Sequence, residues 1–210
     1  MSPRPVRTSP PPDHPLLFLQ GFLKRPKEVA SIIPSSRFLM RRIVRFADVA
    51  SARTIVELGP GTGGSTRTLL RAMRPDAKLL AIEIVPQFVS LVRATVHDPR
   101  LHVHEGSAIE IAEALRARAL GQPDLVLSGI PFSTIPREIG LAIVRSVHQV
   151  LAPGGRFVAY QARDRVEVLG RQVLGKPRVQ LELLNVPPMR VYRWDRPVAA
   201  SAQMPASQIR

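Results

Sequence analysis

Short blocks of apolar residues, each closed by glycine, proline or a polar residue, divide the centre of the chain, and between them apolar positions recur at helical spacing. The blocks predict strands at Thr54–Leu58, Lys78–Glu83, Leu101–His104, Asp124–Ser128 and Arg156–Gln161. The spaced segments predict helices over about Gly64–Met73, Pro86–Thr95, Ala108–Leu120 and Pro136–Val150. Strand and helix alternating in this order predict a parallel α/β sheet. Pro153-Gly154-Gly155 reads as a turn into the fifth strand. Beyond it, Arg178–Leu184 and Met189–Trp194, on either side of a loop holding Pro187-Pro188, predict an antiparallel hairpin.

Upstream, residues 1–15 contain six prolines and few apolar side chains, the composition of a disordered tail. The stretch L-L-F-L-Q-G-F-L-K-R then sets Leu16, Leu19 and Leu23 on one helical face with Phe18 and Phe22 beside it, and Lys24, Arg25 and Lys27 follow at once. Pro34 interrupts, and Ser35 and Ser36 offer helix caps. Over Arg37–Ala50, Leu39, Met40, Ile43, Phe46, Ala47 and Ala50 share one side of a helical wheel, while Arg37, Arg41 and Arg45 line the other. The expected organisation is a tail (1–15), an amphipathic helical segment (16–50), one α/β domain (51–196) and a flexible end (197–210).

Composition narrows the chemistry. At 210 residues and 45% hydrophobic content the chain can bury one substantial core, and no run approaches the ~20 apolar residues of a membrane-spanning helix. With no cysteine, disulfides and thiolate metal sites are excluded, and none of the five histidines has ligand spacing backed by carboxylates, so no metal is expected. The net charge of +14 is uneven: residues 1–50 carry nine Lys/Arg against three acids, residues 51–155 eleven against nine, and residues 156–210 ten against four. A nearly neutral centre between basic flanks suits a polyanionic partner, either a nucleic-acid backbone or an anionic lipid surface.

The densest chemical signal is I-V-E-L-G-P-G-T-G-G, with Glu83 closing the next apolar block about twenty residues later. A buried strand running into glycines lets the backbone approach a ligand, and a carboxylate ending the next strand can take ribose hydroxyls. Gly59, Gly61 and Gly64 also satisfy the dinucleotide fingerprint G-x-G-x-x-G. Glu57, however, would repel a pyrophosphate, and Pro60 removes an amide that phosphate would use. A ligand bearing a sulfonium and an α-amino group fits better. The segment E-L-G-P-G-T-G resembles motif I of class I S-adenosylmethionine methyltransferases. That resemblance implies a Rossmann-like α/β fold: a mostly parallel seven-stranded sheet, a C-terminal antiparallel hairpin and an N-terminal helical extension. It also implies that Gly59, Gly61 and Gly63 pass beneath the methionine part, that Glu57 holds its ammonium, that Glu83 binds the ribose and that Ile84 lies against the adenine. Ser107 stands where relatives often carry Asp for the adenine amino group; it serves equally as a cap for the following helix.

The fourth block ends in Ser128-Gly129-Ile130-Pro131-Phe132, which resembles the proline-aromatic signature of N-methyltransferases acting on planar amino groups. Amine methylation needs in-line positioning, exclusion of water and loss of a proton. Carbonyls and the Ser128 hydroxyl at this turn can accept from the nitrogen, and Phe132 can face the growing positive charge or belong to the core. Tyr160 is a further candidate for taking the proton or orienting the substrate.

Together with L-K-R-P-K-E-V-A-S-I-I-P-S-S near the start and N-V-P-P-M-R-V-Y-R-W near the end, these segments resemble the soluble bacterial phospholipid N-methyltransferases. The resemblance implies S-adenosylmethionine as donor and S-adenosylhomocysteine as product. It implies successive methylation of phosphatidylethanolamine to phosphatidylcholine by a protein resting peripherally on the cytoplasmic face of the membrane; a monomer is expected in solution. Phe18, Phe22, Lys24, Arg25, Lys27, Arg37, Arg41 and Arg45 would then meet the anionic lipid. An ornithine lipid in place of phosphatidylethanolamine, and adenine in ribosomal RNA, remain the alternative substrates.

Overall fold

Residues 36–198 are described by the computed structural model. Strands β1 (Thr54–Leu58), β2 (Lys78–Glu83), β3 (Leu101–Glu105), β4 (Leu125–Ser128) and β5 (Arg156–Gln161) are parallel, and β6 (Arg178–Glu182) with β7 (Met189–Asp195) forms the antiparallel hairpin. The seven-stranded order is β3-β2-β1-β4-β5-β7-β6. Because β2 and β4 flank β1 on opposite sides, the loops leaving β1 and β4 border one crevice at the carboxyl end of the sheet, where open α/β sheets bind ligands.

The period-two alternation of β1 sends Val56 and Leu58 into one core and Ile55 into the other. Val56 and Leu58 meet Ile143, Val144 and Val147 of α5 (Arg137–Val150), which covers that face. Ile55 joins Leu39, Met40 and Ile43 of α1 (Arg37–Phe46) and Leu69 and Leu70 of α2 (Gly64–Ala72) on the other. The remaining helices are α3 (Pro86–Thr95), α4 (Ile111–Arg116) and α6 (Arg165–Val173).

α1 starts as its sequence predicts, with the Ser36 hydroxyl accepting from the Leu39 amide at 3.1 Å. It ends earlier than the wheel suggests. Asp48 takes a left-handed conformation (φ 49°) and the chain passes into a 3-10 turn, Val49–Ser51, so Ala50 is exposed and Phe46 only half-buried. The buried Arg156 guanidinium donates to the carbonyls of Ala47 and Asp48 and to the Ser51 hydroxyl, closing the helix end. Arg193 donates to the Phe46 carbonyl at 2.6 Å, Arg42 pairs with Glu182 at 2.8 Å, and the Ser36 amide donates to Asn185 at 2.9 Å. Residues 36–50, expected within a separate lead segment, thus share the core of the sheet.

Two further departures have local causes. The helix expected over Ala108–Leu120 is a 3-10 turn (Ala108–Glu110) followed by α4. It stops where Ala119 adopts φ 50° and the Leu120 amide donates to the Leu115 carbonyl; this is a Schellman ending built on alanine, so no glycine announces it. Helix α6 was not anticipated. It buries Val166 and Leu169, and a Cβ on Gly170 would stand 2.3 Å from the Trp194 ring, so the helix lies flat against that indole. The proposed tail 1–15, the stretch 16–27 with Phe18, Phe22, Lys24, Arg25 and Lys27, and residues 199–210 lie outside the described residues.

Candidate active site

Three segments converge where β1, β4 and β5 end. In the loop after β1, Gly59 and Gly61 take φ values of 73° and 54°, which L side chains rarely adopt. A Cβ on Gly59 would lie 3.3 Å from Ile130 Cγ1, and one on Gly129 would lie 2.7 Å from the Tyr160 hydroxyl and 3.1 Å from the Gly59 carbonyl. Glycine at these two positions therefore lets the loops after β1 and β4 pass close to one another, with Tyr160 half-buried against Gly129. Gly63 differs. It precedes α2 with φ 81°, and its missing side chain would meet Val92 and Val96, so it serves the turn and the packing of α3.

Glu57 is 1% exposed at the end of β1. Its Oε2 accepts from Thr66 Oγ1 at 2.6 Å, and its Oε1 has no hydrogen-bond partner. Burial raises its pKa from 4.5 to about 7; the Ser65 and Thr66 hydroxyls offset this only in part, and Glu83 adds repulsion. A buried carboxylate oxygen without a partner calls for a donor, and a cationic ammonium is the donor that also restores the charge balance. Glu83, 5% exposed, accepts from the Gly61 amide at 3.0 Å through Oε2 and from the Ile84 and Val85 amides at 2.9 and 3.0 Å through Oε1. Burial pushes its pKa upward against those three amides. Oε2 keeps a free lone pair for a hydroxyl donor, whereas the Ile84 and Val85 amides take both lone pairs of Oε1, and the Glu83–Gly61 bond joins the ends of β1 and β2 into one cradle. Ile84 follows, half-buried.

The other candidates divide. Ser107 is a cap: its hydroxyl accepts from the Ile109 amide at 3.3 Å while Glu110 reaches back to the Ser107 amide at 3.1 Å. The Ser128 hydroxyl is buried and accepts from the Ile130 amide at 3.3 Å, shaping the turn from below. Of the two places the sequence left open to Phe132, the structure has the core one: its ring is fully buried, 3.3 Å from where a Gly140 Cβ would be, and packs beneath α5. Gln161 was missed. Its Nε2 donates to the Ile130 carbonyl at 2.7 Å, and its buried Oε1 has no partner. A polar residue closing an apolar strand beside the glycine-proline turn was the available signal. Among the described residues no group of three or more His, Asp or Glu is arranged to hold a metal ion.

This geometry, a glycine crevice flanked by two buried carboxylates at the end of a 3-2-1-4-5-7-6 sheet, defines a nucleoside-cofactor enzyme of the α/β class. Residues 55–155 match a methyltransferase domain family. The chain is 37% identical over 142 residues to an ornithine lipid N-methyltransferase of Singulisphaera acidiphila, a match spanning 67% of this chain and 74% of that protein. It is also 39% identical over 95 residues to a ribosomal RNA small subunit methyltransferase A of Caulobacter vibrioides, but spans only 34% of that protein. Among solved structures, the N-methyltransferase NodS from Bradyrhizobium japonicum WM9 in complex with S-adenosylhomocysteine superimposes with a TM-score of 0.63 at 15% identity, covering 85% of this chain and 97% of that one. The chain belongs to the class I S-adenosylmethionine-dependent methyltransferases, and S-adenosylmethionine is its cofactor.

Proposed function

We propose that the protein N-methylates the primary amine of a membrane amino lipid, with an ornithine lipid favoured over phosphatidylethanolamine. The carrying observation is the 37% identity to an ornithine lipid N-methyltransferase over 74% of its length. That match moves the favoured headgroup away from the phosphatidylethanolamine suggested by the sequence motifs. The ribosomal RNA reading has a match limited to 44% of this chain, and it stands second.

Bound S-adenosylmethionine supplies a methyl group on a positively charged sulfur. Glu57 Oε1 is suited to its ammonium and Glu83 to its ribose, while the left-handed Gly59 and Gly61 let the loop backbone run close to both. An alkyl amine with a pKa of about 10 must lose a proton before its lone pair can attack. The Tyr160 hydroxyl beside Gly129 and the unpartnered Gln161 Oε1 are the acceptors that can orient its N–H bonds, and Ser128 and Gln161 hold the turn between them. Among the described residues no helix is long and apolar enough to cross a bilayer, and the proposed site of action is the cytoplasmic membrane surface.

Radiolabelled S-adenosylmethionine incubated with the protein and, separately, vesicles carrying ornithine lipid, vesicles carrying phosphatidylethanolamine, and ribosomal RNA tests this. Label in ornithine lipid is expected. Label only in phosphatidylethanolamine would restore the other headgroup, and label only in RNA would overturn the lipid reading.

A further inference from the structure

Apart from Val198, the last described residue at 75% exposure, the most exposed large apolar side chains of the described residues gather at the tip of the β6–β7 hairpin. Val186 is 79% exposed, Leu183 66% and Leu184 64%. Leu181 and Val179 continue the strip along the outer face of β6, an edge strand, while Gln180 and Glu182 on its inner face bond Arg42 of α1. The tip is not a frayed loop, because its polar groups are turned inward. Buried Glu182 accepts the Leu184 amide at 2.9 Å and pairs with Arg42; buried Asn185 accepts the Ser36 amide and donates to the Pro187 carbonyl at 2.9 Å. With the polar atoms so occupied, the loop holds its apolar side chains out in water, an arrangement that marks a surface for contact.

Strand pairing says which way the tip faces. Gln161, the last residue of β5, lies opposite Arg190, and Arg156, the first, lies opposite Asp195. The start of β7, and with it the tip, therefore stands at the carboxyl end of the parallel strands, the end that holds the crevice. Its surroundings are basic. Arg190 is exposed beside the tip, and Arg37 and Arg41 are exposed on α1, whose capping residue Ser36 is bonded to Asn185.

We infer that the β6–β7 tip is a membrane-insertion element: Leu183, Leu184 and Val186 enter the acyl boundary of an anionic bilayer while the neighbouring arginines meet its phosphates, turning the mouth of the crevice toward the lipid headgroups. An apolar projection ringed by cations matches an anionic lipid surface in both terms. A soluble polyanion would satisfy only the arginines. The inference rests on the lipid reading of the active site for its purpose, but docking itself is separable from catalysis.

The test uses the full chain and vesicles of phosphatidylglycerol with phosphatidylcholine. Burial of each leucine side chain is worth about tenfold in partition. The double substitution Leu183→Ser, Leu184→Ser, on exposed positions, is therefore expected to weaken vesicle binding by about 100-fold while leaving S-adenosylmethionine affinity unchanged. In a second variant, Leu184→Trp, emission should shift to the blue on adding vesicles and be quenched by brominated lipid; the native Trp194 is buried and constant. Unchanged vesicle affinity with no quenching overturns the inference. So does a wild-type dimer in light scattering that the serine pair dissociates, which would make the tip a self-contact. Emission already blue-shifted without vesicles and unaltered by them would assign the tip to residues 1–35 instead, and would also overturn it. If the wild-type protein methylates no amino lipid yet the tip still drives vesicle binding, the proposed function fails and the docking inference stands.

Discussion

Glu57 carries two demands that conflict in the absence of a ligand. Its burial beside the crevice raises its pKa to about 7, while the role proposed for it with a cationic ligand requires the ionised form. For a carboxyl group raised on folding, the stabilising contribution is fully present below the unfolded value of 4.5 and is lost as the pH rises through about 7. The loss amounts to about 3 kcal/mol. Glu57→Gln should therefore remove that part of the pH dependence of the cofactor-free protein: melting temperatures of wild type and variant diverge between pH 4.5 and 8, with the variant the more stable at the upper end. The same proton links to binding. S-adenosylmethionine affinity of the wild type should rise with pH and level off above about 7, whereas the variant binds weakly throughout, as calorimetry across that range would read. A wild-type affinity flat from pH 5 to 8 would show that Glu57 is already ionised or faces away from the ligand. Glu83, also raised by burial, is held by the same three backbone amides in both proteins, and only its repulsion with Glu57, the smallest of the causes acting on Glu57, is lost in the variant.

Among the elements, α1 and the hairpin depend on each other across more than a hundred residues of sequence. The apolar wheel of α1 was legible because Leu39, Met40 and Ile43 repeat at helical spacing; its partners were not, because nothing local to Arg156 or Arg193 says that they close its last turn. Arg156→Met keeps most of the aliphatic stem but leaves the Ala47 and Asp48 carbonyls and the Ser51 hydroxyl without their donor. A loss of about 2–4 kcal/mol is expected, measured as a lowered urea midpoint, with S-adenosylmethionine affinity retained once folded. Phe132 is the complementary case. A proline-aromatic turn reads the same whether its ring faces a ligand or a helix; Gly140, eight positions on, opens the slot in α5 that takes the ring. Helix α6 escaped for a related reason: its short apolar repeat contains Gly170, which weakens the helical signal and is required by the Trp194 contact.

For the whole molecule, the charge of +14 is the long-range quantity, and it lies mainly outside the cofactor-binding centre. Arg37, Arg41 and Arg45 are exposed along the outer side of α1. At about 1 kcal/mol for each arginine near an anionic surface, replacing all three with glutamine should weaken binding to phosphatidylglycerol vesicles by about 100-fold at low salt. The gap should narrow as salt shortens the screening length. Equal binding by wild type and the triple variant, or binding insensitive to salt, would remove α1 from the docking surface.

The positions of the strands along the chain, the glycine-rich loop and the two carboxylates were readable because each depends on neighbours a few residues away: apolar blocks, spaced glycines, and an acid closing a strand. Contacts between remote segments were not readable. The burial of Phe132 under α5, the closing of α1 by Arg156 and the outward leucines of a hairpin whose polar groups face Ser36 and Arg42 all arise where distant segments meet. Local pattern sets what each segment can become; which of its faces meets water is a property of the assembled packing.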